Sequence, residues 1–235
     1  MKPVAIFRFS PTEGPAWFSD WLDARAITWR LIAVDAGAAV PGDPREFSGI
    51  AMMGGPMSVT DRLPWVAPLS QLLRDAIERD VPVLGHCLGG QVLAQALGAK
   101  VTRTAAPEIG WIDVEAADRA ARDAWFGGRE RFTIFQWHYE VFELPPGATR
   151  VLTNVHNREQ AFTLADRHLG LQCHVEMTPA LVESWCAGGL GEIEGPGTPA
   201  RQSRAAILRD LDRRIAALHA VADDIYARWA AGLQR

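Results

Sequence analysis

The stretch Val83-Leu84-Gly85-His86-Cys87-Leu88-Gly89-Gly90-Gln91 runs from a short apolar strand through Gly-x-Cys-x-Gly into a helix over Gln91 to Leu97. A strand that turns directly into a helix has no room for side chains two positions either side of the central residue, which accounts for Gly85 and Gly89. The turn lifts the Cys87 sulfur off the carboxyl end of a sheet, where open α/β folds hold their ligands. It also sets Cys87 at a helix N-terminus, where backbone N–H groups favour an anion and lower a thiol's pKa. A buried structural cysteine does not need three glycines around it, and a phosphate loop would carry a Gly-Lys-Ser/Thr that is absent here.

Outward from this turn the first half of the chain alternates strand-like and helix-like stretches. Val4 to Phe9, Thr28 to Val34, Gly49 to Met53 and Val81 to Leu84 read as strands. Leu69, Leu72, Leu73, Ala76 and Ile77 form one face of a helix. Such alternation predicts βαβ units and a parallel sheet, hence the α/β class. Beyond residue 100, Val101-Thr102, Gly110 to Val114, Phe132 to Gln136, Arg150 to Asn154, Ala161 to Leu164 and Leu171 to Val175 read as shorter strands, expected as antiparallel additions on one edge. The expected organisation is one domain over 1–187, a Gly/Pro-rich loop over 188–199 and a C-terminal helical extension over 200–235 packing on the same domain. In that extension Leu208, Leu211, Ile215, Leu218, Ala222, Ile225 and Trp229 alternate in steps of three and four. The stripe fits a coiled-coil seam or a core-facing face, and three heptads favour the latter.

Composition bounds the function. The 235 residues carry 24 Lys+Arg against 28 Asp+Glu, a net charge of −4, with 48% hydrophobic and 22% charged residues. These proportions exclude intrinsic disorder for most of the chain. Without a basic block, neither nucleic acid nor an anionic membrane is an expected partner. No apolar run approaches the ~18 residues needed to span a bilayer. Arg8 interrupts the first apolar run too early for a signal-peptide core. Cys87, Cys173 and Cys186 are too few for a disulfide framework, so a cytoplasmic location is expected.

A nucleophilic thiol needs a base, and the base needs an orienter. Among His86, His138, His156, His168, His174 and His219, the candidate is His174, at the end of the strand-like Leu171-Gln172-Cys173-His174-Val175-Glu176. Residues two apart on a strand share a side, so Glu176 can support His174 in a Cys-His-acid triad. Cys173 beside His174 could hint at a metal, but there is no Cys-x-x-Cys or second cluster, and no metal is expected. Met53-Gly54-Gly55-Pro56 follows the third strand, and its glycines let a backbone N–H approach a ligand as half of an oxyanion hole. The N–H of Leu88, the residue after the nucleophile, would be the other half.

Taken together, Gly85 to Gln91, Gly54-Gly55-Pro56 and His174-Val175-Glu176 resemble, in order and spacing, the three signatures of class I glutamine amidotransferases. The resemblance runs from about residue 1 to about 185. Within the family it points to the glutaminase domain of GMP synthase and its free-standing relatives. Gln136-Trp137-His138-Tyr139-Glu140-Val141-Phe142-Glu143-Leu144-Pro145-Pro146-Gly147-Ala148 and Gln160-Ala161-Phe162 resemble further family segments. The resemblance implies a flavodoxin-like, doubly wound fold with Cys87 as nucleophile, His174 as base and Glu176 as its orienter. It implies oxyanion donors at Gly55 and Leu88. Substrate contacts are implied at Gly54, Pro56 and Gln91 and near Gln136, Trp137 and His138. The sequence departs from the family pattern at Val175, where Pro is usual, and at Gly90, where a bulkier residue is common. The implied activity is hydrolysis of L-glutamine to glutamate and ammonia with no cofactor, the ammonia passing to a synthetase subunit. A stand-alone hydrolase of γ-glutamyl compounds, or a binding module with a silent site, are the alternatives.

Overall fold

β1 (Val4–Arg8), β3 (Gly49–Met52) and β4 (Val83–His86) are buried along nearly their whole length, as strands covered on both faces must be. A computed structural model of the chain describes residues 2–194 and 200–234. With β2 (Trp29–Ala33) and β9 (His168–Leu171) these strands make a parallel set. β5 (Val101–Ala116), β6 (Arg131–Phe142), β7 (Thr149–Thr153) and β8 (Ala161–Leu164) extend it as antiparallel strands. The nine strands form one sheet in the order β2-β1-β3-β4-β9-β8-β7-β5-β6.

Alternation along β1 shows how the sheet is covered. Val4 and Ile6 face one core, where α1 (Ala16–Asp23) supplies Phe18, Trp21 and Leu22 and α8 (Leu211–Ala230) supplies Leu218, Ile225 and Trp229. Ala5 and Phe7 face the other, with Leu69, Leu72 and Leu73 from α2 (Val66–Glu78) and Val92 and Leu93 from α3 (Leu88–Ala96). The α/β, doubly wound, mostly parallel architecture with antiparallel edge additions therefore holds.

Several elements differ from their sequence reading. Val101-Thr102 and Gly110 to Val114 belong to one 16-residue strand, whose register against β6 shifts between Arg103 and Glu108. The intervening Arg103-Thr104-Ala105-Ala106-Pro107 is too polar and Pro-broken to show period two. The strand read over Leu171 to Val175 ends at Leu171. Residues 172–176 leave the sheet, and the N–H of His174 donates to the Phe135 carbonyl at 3.0 Å. α4 (Arg119–Trp125), whose N-terminus is capped by Asp118 accepting from the Ala121 N–H at 2.8 Å, is too short to show a helical period.

The Gly/Pro-rich stretch at 188–199 begins as helix. α5 (Pro179–Gly188) runs into α6 (Leu190–Ile193), and residues 195–199 lie outside the described residues. The C-terminal region breaks once, at Asp210 (φ 53°), between α7 (Arg204–Leu208) and α8. Ile215, Leu218, Ala222, Ile225 and Trp229 are buried in the chain's own core, so the stripe is a core face rather than a free seam. Among the described residues no helix is long and apolar enough to cross a membrane.

Candidate active site

Parallel strands end on one edge, so the segments after β1, β3, β4 and β9 converge there although they are far apart in the chain. Cys87 follows β4 directly and caps α3, with φ 47° and ψ −106°, a conformation that L side chains rarely adopt. The close fit beneath it explains two glycines. A methyl on Gly85 would meet the backbone of Gly89 at 2.4 Å, and one on Gly90 would meet the Leu171 carbonyl oxygen of β9 at 2.3 Å. The departure at Gly90 thus belongs to how tightly α3 lies on β9.

His174 and Glu176 are only 1% and 2% exposed, and His174 Nδ1 lies 2.7 Å from Glu176 Oε1. The ring also hydrogen-bonds Cys87 and meets the Trp185 ring edge-on at 4.8 Å. Burial works against the imidazolium, but the Glu176 carboxylate and then Cys87 outweigh it and hold His174 well above its ordinary value. Burial also opposes the Glu176 carboxylate, yet His174 and His86 keep it below the usual range. A thiol, an imidazole and a carboxylate in this order are equipped for proton exchange with a sulfur nucleophile. The pairing does not arise from a shared strand face, since both residues lie past the end of β9.

Gly55 packs against the residue after the cysteine: a methyl there would meet Leu88 Cδ2 at 2.6 Å. The neighbouring Gly89 N–H is occupied by the Met53 carbonyl at 3.1 Å. The cleft over these groups encloses about 590 Å³ and is lined by Gly55, Pro56, Cys87, Gln91, Trp137 and His138 among the expected residues. Gly54 approaches it closely, beneath His174. Gln91 Nε2 donates to the Glu140 carbonyl at 3.0 Å and to Gln172 Oε1 at 3.4 Å.

The side chain of Gln136 is elsewhere. It is fully buried and donates to Gln160 Oε1 at 2.6 Å. Gln160 and Asn157 in turn donate to Glu108 Oε2 at 2.7 Å each, and His138 Nε2 lies 3.1 Å from the same carboxylate. Burial pushes Glu108 up, but these donors, led by His138, keep its carboxyl below the ordinary value. This network stiffens the strand that carries Trp137 and His138 along the cleft wall.

Besides Trp185, three neighbours of the site escaped the sequence reading. Gln172 Nε2 lies 3.8 Å from Cys87 Sγ, His86 Nε2 lies 3.1 Å from the Tyr226 hydroxyl of α8, and Glu13 reaches the cleft from the β1–α1 turn. Position after a parallel strand could have flagged Glu13; nothing local marks Tyr226. Among the described residues no group of three or more His, Cys, Asp or Glu is placed to hold a metal ion.

Known proteins resemble the chain in sequence and in fold. The glutamine amidotransferase class-I family model matches residues 27–184. The glutamine amidotransferase-like protein YfeJ of Salmonella typhimurium is 28% identical over 179 residues, 73% of this chain and 74% of that protein. The glutamine-hydrolyzing GMP synthase of Aeropyrum pernix is 33% identical over 142 residues, 60% of this chain but 26% of the synthase. A crystal structure of a glutamine amidotransferase from Methylobacillus flagellatus superposes with a TM-score of 0.98 at 44% identity, covering 100% of this chain and 96% of that one. A Thermotoga maritima glutamine amidotransferase gives 0.85 at 26% identity, with 97% of each chain covered. The chain belongs to the class-I glutamine amidotransferases.

Proposed function

We propose that the chain hydrolyses the side-chain amide of L-glutamine to glutamate and ammonia through a thioester on Cys87. The buried His174–Glu176 pair hydrogen-bonded to the elbow thiol is the observation that carries this reading. His174 takes the Cys87 proton, and the thiolate attacks the amide carbon while the Gly55 and Leu88 N–H groups receive the oxyanion. The intermediate collapses as His174 protonates the departing nitrogen, releasing ammonia. Water then gives a proton to His174, attacks the thioester and frees glutamate, and the thiol is restored. The glutamine-hydrolyzing relatives support delivery of that ammonia to a synthetase partner.

The cleft favours a second reading, hydrolysis of larger γ-glutamyl amides. It lies within the ~300–1,000 Å³ range of sites for drug-sized ligands, more than glutamine needs, and Trp137, Trp185 and Tyr139 line it. Steady-state kcat/KM of the purified chain for glutamine and for a panel of γ-glutamyl amides separates the two. Slow turnover of glutamine alone, rising when a synthetase partner is added, is the expected result. Rapid cleavage of the larger amides would replace the ammonia-supplying role by the hydrolase.

A further inference from the structure

Glu13 sits in the turn after β1, at the strand edge that also bears Cys87 and His174. Its N–H donates to the Ser10 carbonyl at 3.1 Å. The turn is tied to the site from two sides. Trp185 Nε1 donates to the Thr12 carbonyl at 3.1 Å, and the Trp17 N–H donates to the Glu176 carbonyl at 3.0 Å. The Glu13 carboxyl is directed over Gly54, where an added methyl would meet Glu13 Oε2 at 2.2 Å and His174 Cε1 at 2.7 Å. Carboxyl and imidazole edge therefore flank one small space beside the Gly54 α-carbon. Among the described residues two other carboxylates line the cleft, and both are engaged: Glu140 accepts from the Ser58 hydroxyl at 2.8 Å and Glu192 from the Trp137 indole at 2.7 Å.

We propose that Glu13 is a positioning residue for His174, its carboxylate lying along the Cε1 edge of the imidazole and, with Glu176 at Nδ1, favouring the cationic ring that pairs with a Cys87 thiolate. The inference rests on the reading of Cys87 as nucleophile and His174 as its base. A second negative charge this close favours the imidazolium by about one pK unit or more. Glu13 differs from Glu176 in being adjustable. Burial, its largest influence, pushes its carboxyl up to about 7, His174 pulls it down and Glu176 pushes it up again. Glu176 stays charged throughout that range, whereas Glu13 gains its charge near neutrality. His174 and Glu176, from the segment after β9, face it directly. Cys87 at the cap of α3, Arg103 of β5, His138, Tyr139 and Glu140 of β6 and Glu192 of α6 share the cleft.

The test is the pH dependence of Cys87 alkylation by iodoacetamide, mapped by peptide mass spectrometry, in the wild-type chain, Glu13→Gln and Glu13→Asp. Alkylation reports the thiolate–imidazolium pair and needs no glutamine, so it remains informative even if glutamine hydrolysis fails. The wild-type rate should rise through a step centred near pH 7. Glu13→Gln should lose that step and alkylate about tenfold more slowly on its alkaline side, as one pK unit implies. Glu13→Asp should restore part of the step. Glu13 is half-buried and lends no side-chain hydrogen bond to the fold among the described residues, so the substitutions should leave the protein folded. An alkylation profile unchanged in Glu13→Gln would overturn the proposal. So would a raised KM for glutamine over an unchanged profile, which would assign the carboxylate to the substrate's ammonium group. A lost step in a chain that hydrolyses no glutamine would uphold Glu13 and reject the proposed function instead.

Discussion

At the scale of single residues, the backbone of Cys87 carries a measurable strain. Its φ of 47° with ψ −106° is a glycine-like conformation held by packing on both sides of the turn. Cys87→Gly should therefore be more stable than Cys87→Ala by about 1 kcal/mol or more, seen as a higher urea midpoint. Equal midpoints would mean the turn is relaxed. On the proposed mechanism Glu176 acts through His174, so Glu176→Gln should leave the fold standing and cut glutamine turnover by between about 10²- and 10⁴-fold, the upper figure being that of a serine-protease triad with a neutralised acid. Wild-type turnover in that variant would pass the orienting role to another group. The other thiols, Cys173 and Cys186, are fully buried with pKa values raised by that burial. Alkylation should reach Cys87 first.

At the scale of elements, α8 does more than cover a face. Trp229 packs on Phe18 at 5.9 Å between centroids and is 1% exposed, while the Tyr226 hydroxyl meets His86, the residue before Cys87. Trp229→Ala should cost about 3–5 kcal/mol, the range for a large aromatic removed from a core. Tyr226→Phe removes one buried partner of His86 and should cost about 1–3 kcal/mol. Denaturant unfolding of both variants checks the order. A loss for Tyr226→Phe as large as for Trp229→Ala would show that the hydrogen bond, rather than the apolar face, anchors the helix.

At the scale of the whole molecule, buried histidines make the fold sensitive to acid. Burial, then Arg167, lowers His168 to about 4, so the folded chain leaves it neutral where the unfolded chain would protonate it. The unfolded state then binds the extra proton, and stability falls as pH drops from the ordinary histidine value of 6.5 toward 4. Tm should decline over that window in the wild-type chain and less steeply in His168→Gln. Parallel declines would place the acid sensitivity elsewhere, with His86, also depressed by burial, as the next group to test.

What was legible in the sequence is what short-range physics determines. The strand–turn–helix at Gly85 to Gln91 follows from steric limits within a few residues, and the apolar runs and helical stripes from the periods of local structure. His174 and Glu176 were legible as a pair because they lie two positions apart, although the loop past β9, rather than a strand face, sets their contact. The bulged middle of β5 was not, since its polar residues are satisfied by strands and loops distant in the chain. Nor were Glu13, Gln172, Trp185 and Tyr226 legible as neighbours of Cys87. Their meeting requires β1, β3, β4 and β9 to lie side by side with their carboxyl ends on one edge, and α8 to close over the sheet from the far end of the chain. That order is decided by burying two apolar layers at once, a property of the packed whole that no local stretch contains.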